Sequence, residues 1–201
     1  MKFAGTELVG LIVTTSFAAG LNVYATVATL GLLARAGVLI LPPALNLLGS
    51  WWVIGAAIAL FGVEFFADKI PAFDLIWNAL HTFIRIPIAA LIAYGASSQL
   101  PAGEQLLATV AGGAIALAAH GGKTAARAAV TPSPEPFSNI TLSMLEDALA
   151  VLLTWFATKH PVAASAIVLA FLIAIVLVIR WVVTAFRNMF HSPAARRIAG
   201  S

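Results

Sequence analysis

The side chains of this chain best suited to chemistry are ionisable groups set among apolar ones. The acids are Glu64, Asp68, Asp74, Glu146 and Asp147. The bases are Lys69, Arg85, Lys123 and Arg127, and His81 and His120 can add charge. Their spacing is helical. Glu64 and Asp68, four apart, stack on one side of a helix, and Asp74, Asn78, His81 and Arg85 share a face at steps of four, three and four. His120, Thr124 and Arg127 form a second stripe with Lys123 beside it, and Ser143, Glu146 or Asp147, and Thr154 form a third. An uncharged stripe runs through Thr15, Ala19, Asn22, Thr26 and Thr29, with Asn22 just after Gly20. Such groups can pair and staple helices, or they can bind and pass a solute. Arg85 can meet Glu64, since their helices form a tight hairpin, and Lys123 or Arg127 can meet Glu146 or Asp147. Glu64 and Asp68 can attract a cation or carry a proton. Arg85 and Lys123 can hold an anionic group or keep the acids ionised.

The elements that carry these groups are strongly apolar. Of 201 residues, 61% are apolar and 9% charged, against about 45–50% and 25% in a soluble domain. That composition excludes a soluble enzyme, a disordered tail and a nucleic-acid-binding module. Apolar stretches long enough to span a bilayer recur, and six spans are expected, at about 8–34, 51–67, 73–95, 105–129, 140–158 and 162–186. Prolines fall between them, at Pro42-Pro43, Pro101, 132–136 and Pro161, and only Pro87 lies well inside a span, where it predicts a kink. The sixth span has no polar side chain from Ile167 to Ile179 and can lie at the periphery, facing lipid. The other five share a polar interior. A charge near the bilayer centre costs at least about 2.5–3.5 kcal/mol on insertion scales, so several together call for a role. The first span continues well past the length of a signal peptide and is read as a retained helix.

The net charge is only +3, and its placement is a topology signal. Arg187, Arg196 and Arg197 make the 187–201 tail the densest basic cluster, so the tail is expected in the cytoplasm. Six spans then put the amino terminus there too. The two halves of the chain also look related. FFADKIP at 65–71 aligns with WFATKHP at 155–161, Ala19-Gly20 with Ala111-Gly112, and Ala34-Arg35 with Ala126-Arg127. Repeats at about 1–97 and 98–190 would each hold three helices. An odd number of crossings inverts the second, the arrangement in which many transporters build a midplane site, often from helices broken near residues such as Gly20 and Gly112.

Other motifs fall away. Gly122-Lys123-Thr124 lacks the upstream glycine of a phosphate loop, since position 117 is Leu. The Asn139-Ile140-Thr141 sequon lies on the expected cytoplasmic side. His81 and His120 have no second ligand at zinc spacing on their own helices, and whether any metal binds is open. There are no cysteines. No catalytic constellation is readable, so an enzyme is not expected, and no cofactor is implied.

Four segments carry a family resemblance: GLNVYAT at 20–26, EFFADKIP at 64–71, HTFIRIP at 81–87 and SPEPFSN at 133–139. Together they resemble a bacterial integral-membrane family catalogued as domain of unknown function number 4126. The resemblance runs from helix one to helix five and implies a membrane protein, with no substrate or catalytic residue attached. A looser likeness is to Gdt1-type cation exchangers, which use inverted three-helix repeats and a Glu-x-Gly-Asp-Lys motif. Here Glu64 and Asp68 are one residue further apart, the Gly is missing, and the second half has Thr158-Lys159 in place of the acid.

The sequence therefore reads as one all-α transmembrane domain over residues 1–201, six helices in two inverted repeats, in the bacterial inner membrane with both termini cytoplasmic. The expected function is a small-solute or ion transporter or channel, its pathway drawn from Asn22, Glu64, Asp68, His81, Arg85, His120, Lys123 and Glu146. Its partners would be the bilayer and that solute, with no nucleic acid and with oligomerisation possible. The alternative is a lipid-binding or membrane-assembly protein whose ion pairs are structural.

Overall fold

A computed structural model describes residues 5–67, 71–130 and 136–190. Among them are seven α-helices and no strand: α1 (Thr6–Leu21), α2 (Val23–Arg35), α3 (Trp51–Ala67), α4 (Pro71–Ala96), α5 (Ala102–Val130), α6 (Pro136–Lys159) and α7 (Pro161–Phe190), with a 3-10 helix at Pro43–Gly49. Pro71, Pro136 and Pro161 open α4, α6 and α7 at the first helical position, where a missing N–H leaves no bond unmade.

The first expected span is the one the structure redraws. It is not one helix but two, divided at Asn22, whose backbone is extended at φ −149° and ψ 106°. Asn22 closes α1 with its own N–H, which bonds Ala18 O at 2.9 Å. It opens α2 with its side chain, which accepts from the N–H of Ala25. One amide residue thus caps two helices, and the chain turns back on itself there. Ile12, ten residues before the break, and Leu45, beyond α2, meet in one apolar cluster with Ala93 and Ala96. Ala25 packs with Ala150 and Leu153, so α2 runs alongside α6 in the same direction. The limbs of this hairpin open to the same end of the bundle, and Asn22 is its buried tip.

That end, the hairpin end, also holds the start of α3, the α4–α5 connection and the α6–α7 junction. Three approaches mark it: Leu45 against Gly95, Gln105 donating to Tyr94 O at 3.0 Å, and Gly10 against Pro161 O. Consequently α3 and α6 run in opposite directions, as do α4 and α7. The thirty residues of α7 carry it about 45 Å from the hairpin end to the far end. The beginning of α1 and the end of α7 therefore lie at opposite ends of the bundle, whereas six crossings would bring them to the same one.

By length and composition four helices can each cross a membrane, within α4 to α7, and a fifth crossing is formed if the 3-10 helix and α3, bent by 61°, count as one. Six spans were expected because the apolar run through 8–34 is long enough to cross; the break makes it two shorter pieces. The remaining expected spans fall within α3 to α7, and Pro87 sits inside an uninterrupted α4.

The exterior is apolar and the interior polar. Trp52, Phe83, Leu107 and Phe66 are among the most exposed side chains, while Glu64 and Arg85 have no exposure at all. A soluble protein is arranged the other way round, so the architecture is compatible with a multi-pass membrane protein. α7 is the outer helix. Its 161–181 stretch is only 11% buried, and it touches the bundle through Ala164, Val168 and a stack of Phe171 on Phe17.

Candidate functional site

The tip of the α1–α2 hairpin ends against a cluster of charged side chains from α3, α4, α5 and α6. A helix end leaves backbone groups without intrahelical partners, and both ends at the tip find partners here. The carbonyl of Leu21, at the end of α1, accepts from Lys123 Nζ at 3.2 Å. Asn22 Nδ2 donates to Asp147 Oδ1 at 2.8 Å while Asn22 Oδ1 caps α2. The negative end of α1 thus meets an ammonium, and the positive end of α2 is reached, through Asn22, by a carboxylate. Both match the sense of the helix dipole.

Behind the tip lies an ion-pair chain. Arg85 Nη2 donates to Glu64 Oε1. Lys123 Nζ is 3.7 Å from the same oxygen and 3.2 Å from Glu146 Oε2. Lys123 therefore bridges carboxylates of α3 and α6 as well as the end of α1. Arg85 Nη1 also bonds His120 Nδ1 at 2.8 Å, and since a guanidinium only donates, that nitrogen accepts. The hydrogen of His120 is then on Nε2, 2.8 Å from Thr82 Oγ1, to which it donates. For His81 the same reasoning gives the other tautomer. Its Nδ1 donates to Trp77 O at 2.8 Å, leaving Nε2 to accept from the Tyr24 hydroxyl at 3.0 Å. Glu64 Oε2 and Ser16 Oγ are buried with no hydrogen-bond partner among the described residues. A fully buried carboxylate oxygen with an open acceptor position is an exception that calls for a reason.

The helices set this cluster deep. Glu64 is thirteen residues into α3 from Trp51, Arg85 eleven before the end of α4, and Glu146 thirteen before the end of α6. At 1.5 Å per residue, these positions are about 16–20 Å from the hairpin end, a distance comparable to half of a hydrocarbon layer about 30 Å thick. Close packing holds the tip there. A Cβ on Gly20 would come within 2.5 Å of Ala116 O, so only glycine lets α1 lie this close to α5.

Of the residues expected in the pathway, Asn22, Glu64, Arg85, His120, Lys123 and Glu146 form one network, and His81 lies beside it, one turn from Arg85. The Arg85–Glu64 and Lys123–Glu146 pairs are both present. Asp68 lies outside the described residues, as do the side chains of Asp74, Asn78 and Arg127. The expected uncharged stripe does not continue as one face, because the helix breaks at Asn22. The hydroxyls of Thr15 and Thr26 bond carbonyls of their own segment, Leu11 O and Asn22 O. The break expected near Gly20 is present two residues on, at Asn22, whereas Gly112 lies inside an unbroken α5, packed against Ala93 and Ser16. Two members of the site went unselected in the sequence: Tyr24, and Asp147, one of two alternatives on α6. Among the described residues no three His, Asp or Glu side chains converge as metal ligands.

No curated protein and no solved structure matches this chain, so nothing in the comparisons supports the exchanger likeness. A family model described as a domain of unknown function (DUF4126) matches residues 9–181, which include the hairpin from Val9 onward and every member of the charged cluster.

Proposed function

The chain belongs to this family of domains of unknown function, and with no activity attached to that membership we propose from the site itself that it is a transporter or channel for a proton or small cation. The observation that carries the reading is the broken α1–α2 element, which brings two helix ends to a buried, charged cluster. Discontinuous helices whose ends face the solute are a recurring way to build a site at mid-membrane depth. The cluster's groups touch one another rather than lining a wide cavity, which suits a proton or a single dehydrated cation better than a large solute. Glu64 Oε2 supplies an open acceptor for it. Lys123, shared between Glu64 and Glu146, can follow whichever carboxylate keeps its charge.

The opposite directions of α3 and α6, and of α4 and α7, support an inverted repeat, with α1–α2 departing from α5 because it folds back. The basic residues favour a cytoplasmic far end in a bacterial inner membrane: in sequence, Lys69 follows α3, Arg127 lies in the last turn of α5, and Arg187, Arg196 and Arg197 lie at or beyond the end of α7. The amino end of α1 is then on the opposite side. Reporters fused ahead of Gly5 and after Ser201 are expected to read opposite sides of the membrane; the same side would restore an even number of crossings.

The function is tested by loading purified protein into liposomes and imposing proton, sodium and potassium gradients in turn. Dissipation of at least one gradient above that of empty liposomes is expected. No dissipation of any of them would leave the alternative, in which the pairs only hold the helices together.

A further inference from the structure

At the hairpin end, far from the charged cluster, two cavities share a wall. One, of about 560 Å³, lies between the limbs of the hairpin and the end of α4. Its lining is mostly apolar, with Leu8 and Leu11 from α1, Leu30 from α2 and Ile92 from α4, and Gln99 and Thr15 are its polar side chains. At its floor the Thr15 hydroxyl is already bonded to Leu11 O, so the floor offers no spare donor. The other, about 670 Å³ and more open, is a surface cleft containing Arg35, Asn46, Ser50, Trp51 and Trp52. Leu39, Ile40 and Leu41 border both. Arg35 lies over the Trp51 ring with its guanidinium carbon 4.7 Å from the centroid, and no ion pair holds it among the described residues. Trp51 and Trp52 are 62% and 90% exposed, as tryptophans placed at headgroup depth are.

From this juxtaposition we infer an anionic phospholipid site. The phosphodiester sits in the open cleft on Arg35, whose planar donors match its oxygens, and one acyl chain passes the Leu39–Ile40–Leu41 wall into the apolar slot. Both volumes lie in the range of about 300–1,000 Å³ typical of small-molecule sites. Charge complementarity selects the head and the lining selects the chain. The occupant is a lipid rather than a free anion because neither feature alone uses both cavities. Since the slot is bounded by both limbs of the hairpin, the bound chain braces the element that carries Asn22, whatever the charged cluster does.

The test is thermal unfolding of the full chain in a mild detergent, with dioleoyl-phosphatidylglycerol, dioleoyl-phosphatidylcholine or glycerol phosphate added. At a hundredfold excess over its dissociation constant, phosphatidylglycerol is expected to raise the midpoint by about 5–10 °C. Phosphatidylcholine, with the same chains, should raise it clearly less, and glycerol phosphate hardly at all. Arg35→Gln, a change at an exposed side chain, should erase the difference between the two lipids. Leu8→Trp, which fills the slot from a half-buried position, should diminish the response to both. Equal shifts with the two lipids, an unchanged preference in Arg35→Gln, or a full response to glycerol phosphate would each overturn the site.

Discussion

Around the hairpin tip, Asn22, Glu64, Arg85, Lys123, Glu146 and Asp147 are all at most 5% exposed. Along α7, from Ile167 to Ile179, no polar side chain occurs, and most of the surface faces outward. Both regions are consistent with a lipid surrounding, but they make different demands on the sequence. α7 needs only apolar side chains of any shape, with Ala164 and Val168 small enough to rest on α1. The tip needs specific atoms at specific distances, because every charge there must be met within the protein. Substitutions should therefore be tolerated on the outer helix and penalised at the tip.

The largest contrast is expected for the buried pair. Arg85→Ala leaves Glu64 facing Lys123 alone and His120 without its donor, and should cost about 3–5 kcal/mol. Denaturant or thermal unfolding in detergent would read this. Removing both charges, in Arg85→Ala with Glu64→Ala, should recover much of the loss. A double variant as unstable as the sum of the singles would show that the two groups do not depend on each other.

Packing at the tip gives a sharper, smaller effect. In Gly20→Ala the new methyl meets the backbone of Ala116 and the side chain of Ala119, and overpacking of that kind costs about 1–3 kcal/mol. Gly121, on an open face of α5, has nothing near its missing Cβ, so Gly121→Ala should be neutral or stabilising by up to about 1 kcal/mol. If the two alanines behave alike, α1 is not held against α5 as described.

Smaller again is the loss of the cap. Asn22→Ala removes one side-chain cap and one bond to Asp147, about 0.5–2 kcal/mol. On the outer helix, Ile173→Ala should stay within about 0.5 kcal/mol. A neutral Asn22→Ala would mean that the turn at the tip holds its shape without the amide.

What the sequence showed of this architecture depended on locality. α3 keeps the expected limits of 51–67, and α4 to α7 contain their expected spans, because prolines and the ends of apolar runs are local signals. Glu64 and Arg85 were legible as partners through their opposite charges on neighbouring helices, although Arg85 lies fourteen residues into α4, in mid-helix rather than at the turn. A break near Gly20 was legible, but the fold-back at Asn22 was not. Both limbs are apolar and helix-forming, and an asparagine in a helical stripe has the same spacing as one that caps two helices. What separates the cases is the tertiary environment: Lys123 and Asp147, about 100 and 125 residues away, satisfy the freed helix ends. Tyr24 carried no local signal because its partner, His81, lies 57 residues away on another helix. Asp147 and Glu146, neighbours in sequence, both reach the cluster from one turn of α6, Asp147 to Asn22 and Glu146 to Lys123.

The proposal that this cluster carries an ion, rather than merely holding helices, is tested most directly by ion flux per folded protein in liposomes. The comparison is between the wild type and the double variant Glu64→Gln with Arg85→Gln. The exchange removes the open carboxylate isosterically at position 64, leaves a smaller side chain at position 85 and adds no unpaired charge, so folding should be largely retained. At least a tenfold loss of flux is expected for whichever ion the wild type passes. Unchanged flux in well-folded double variant would contradict the account and take the pathway away from the hairpin tip.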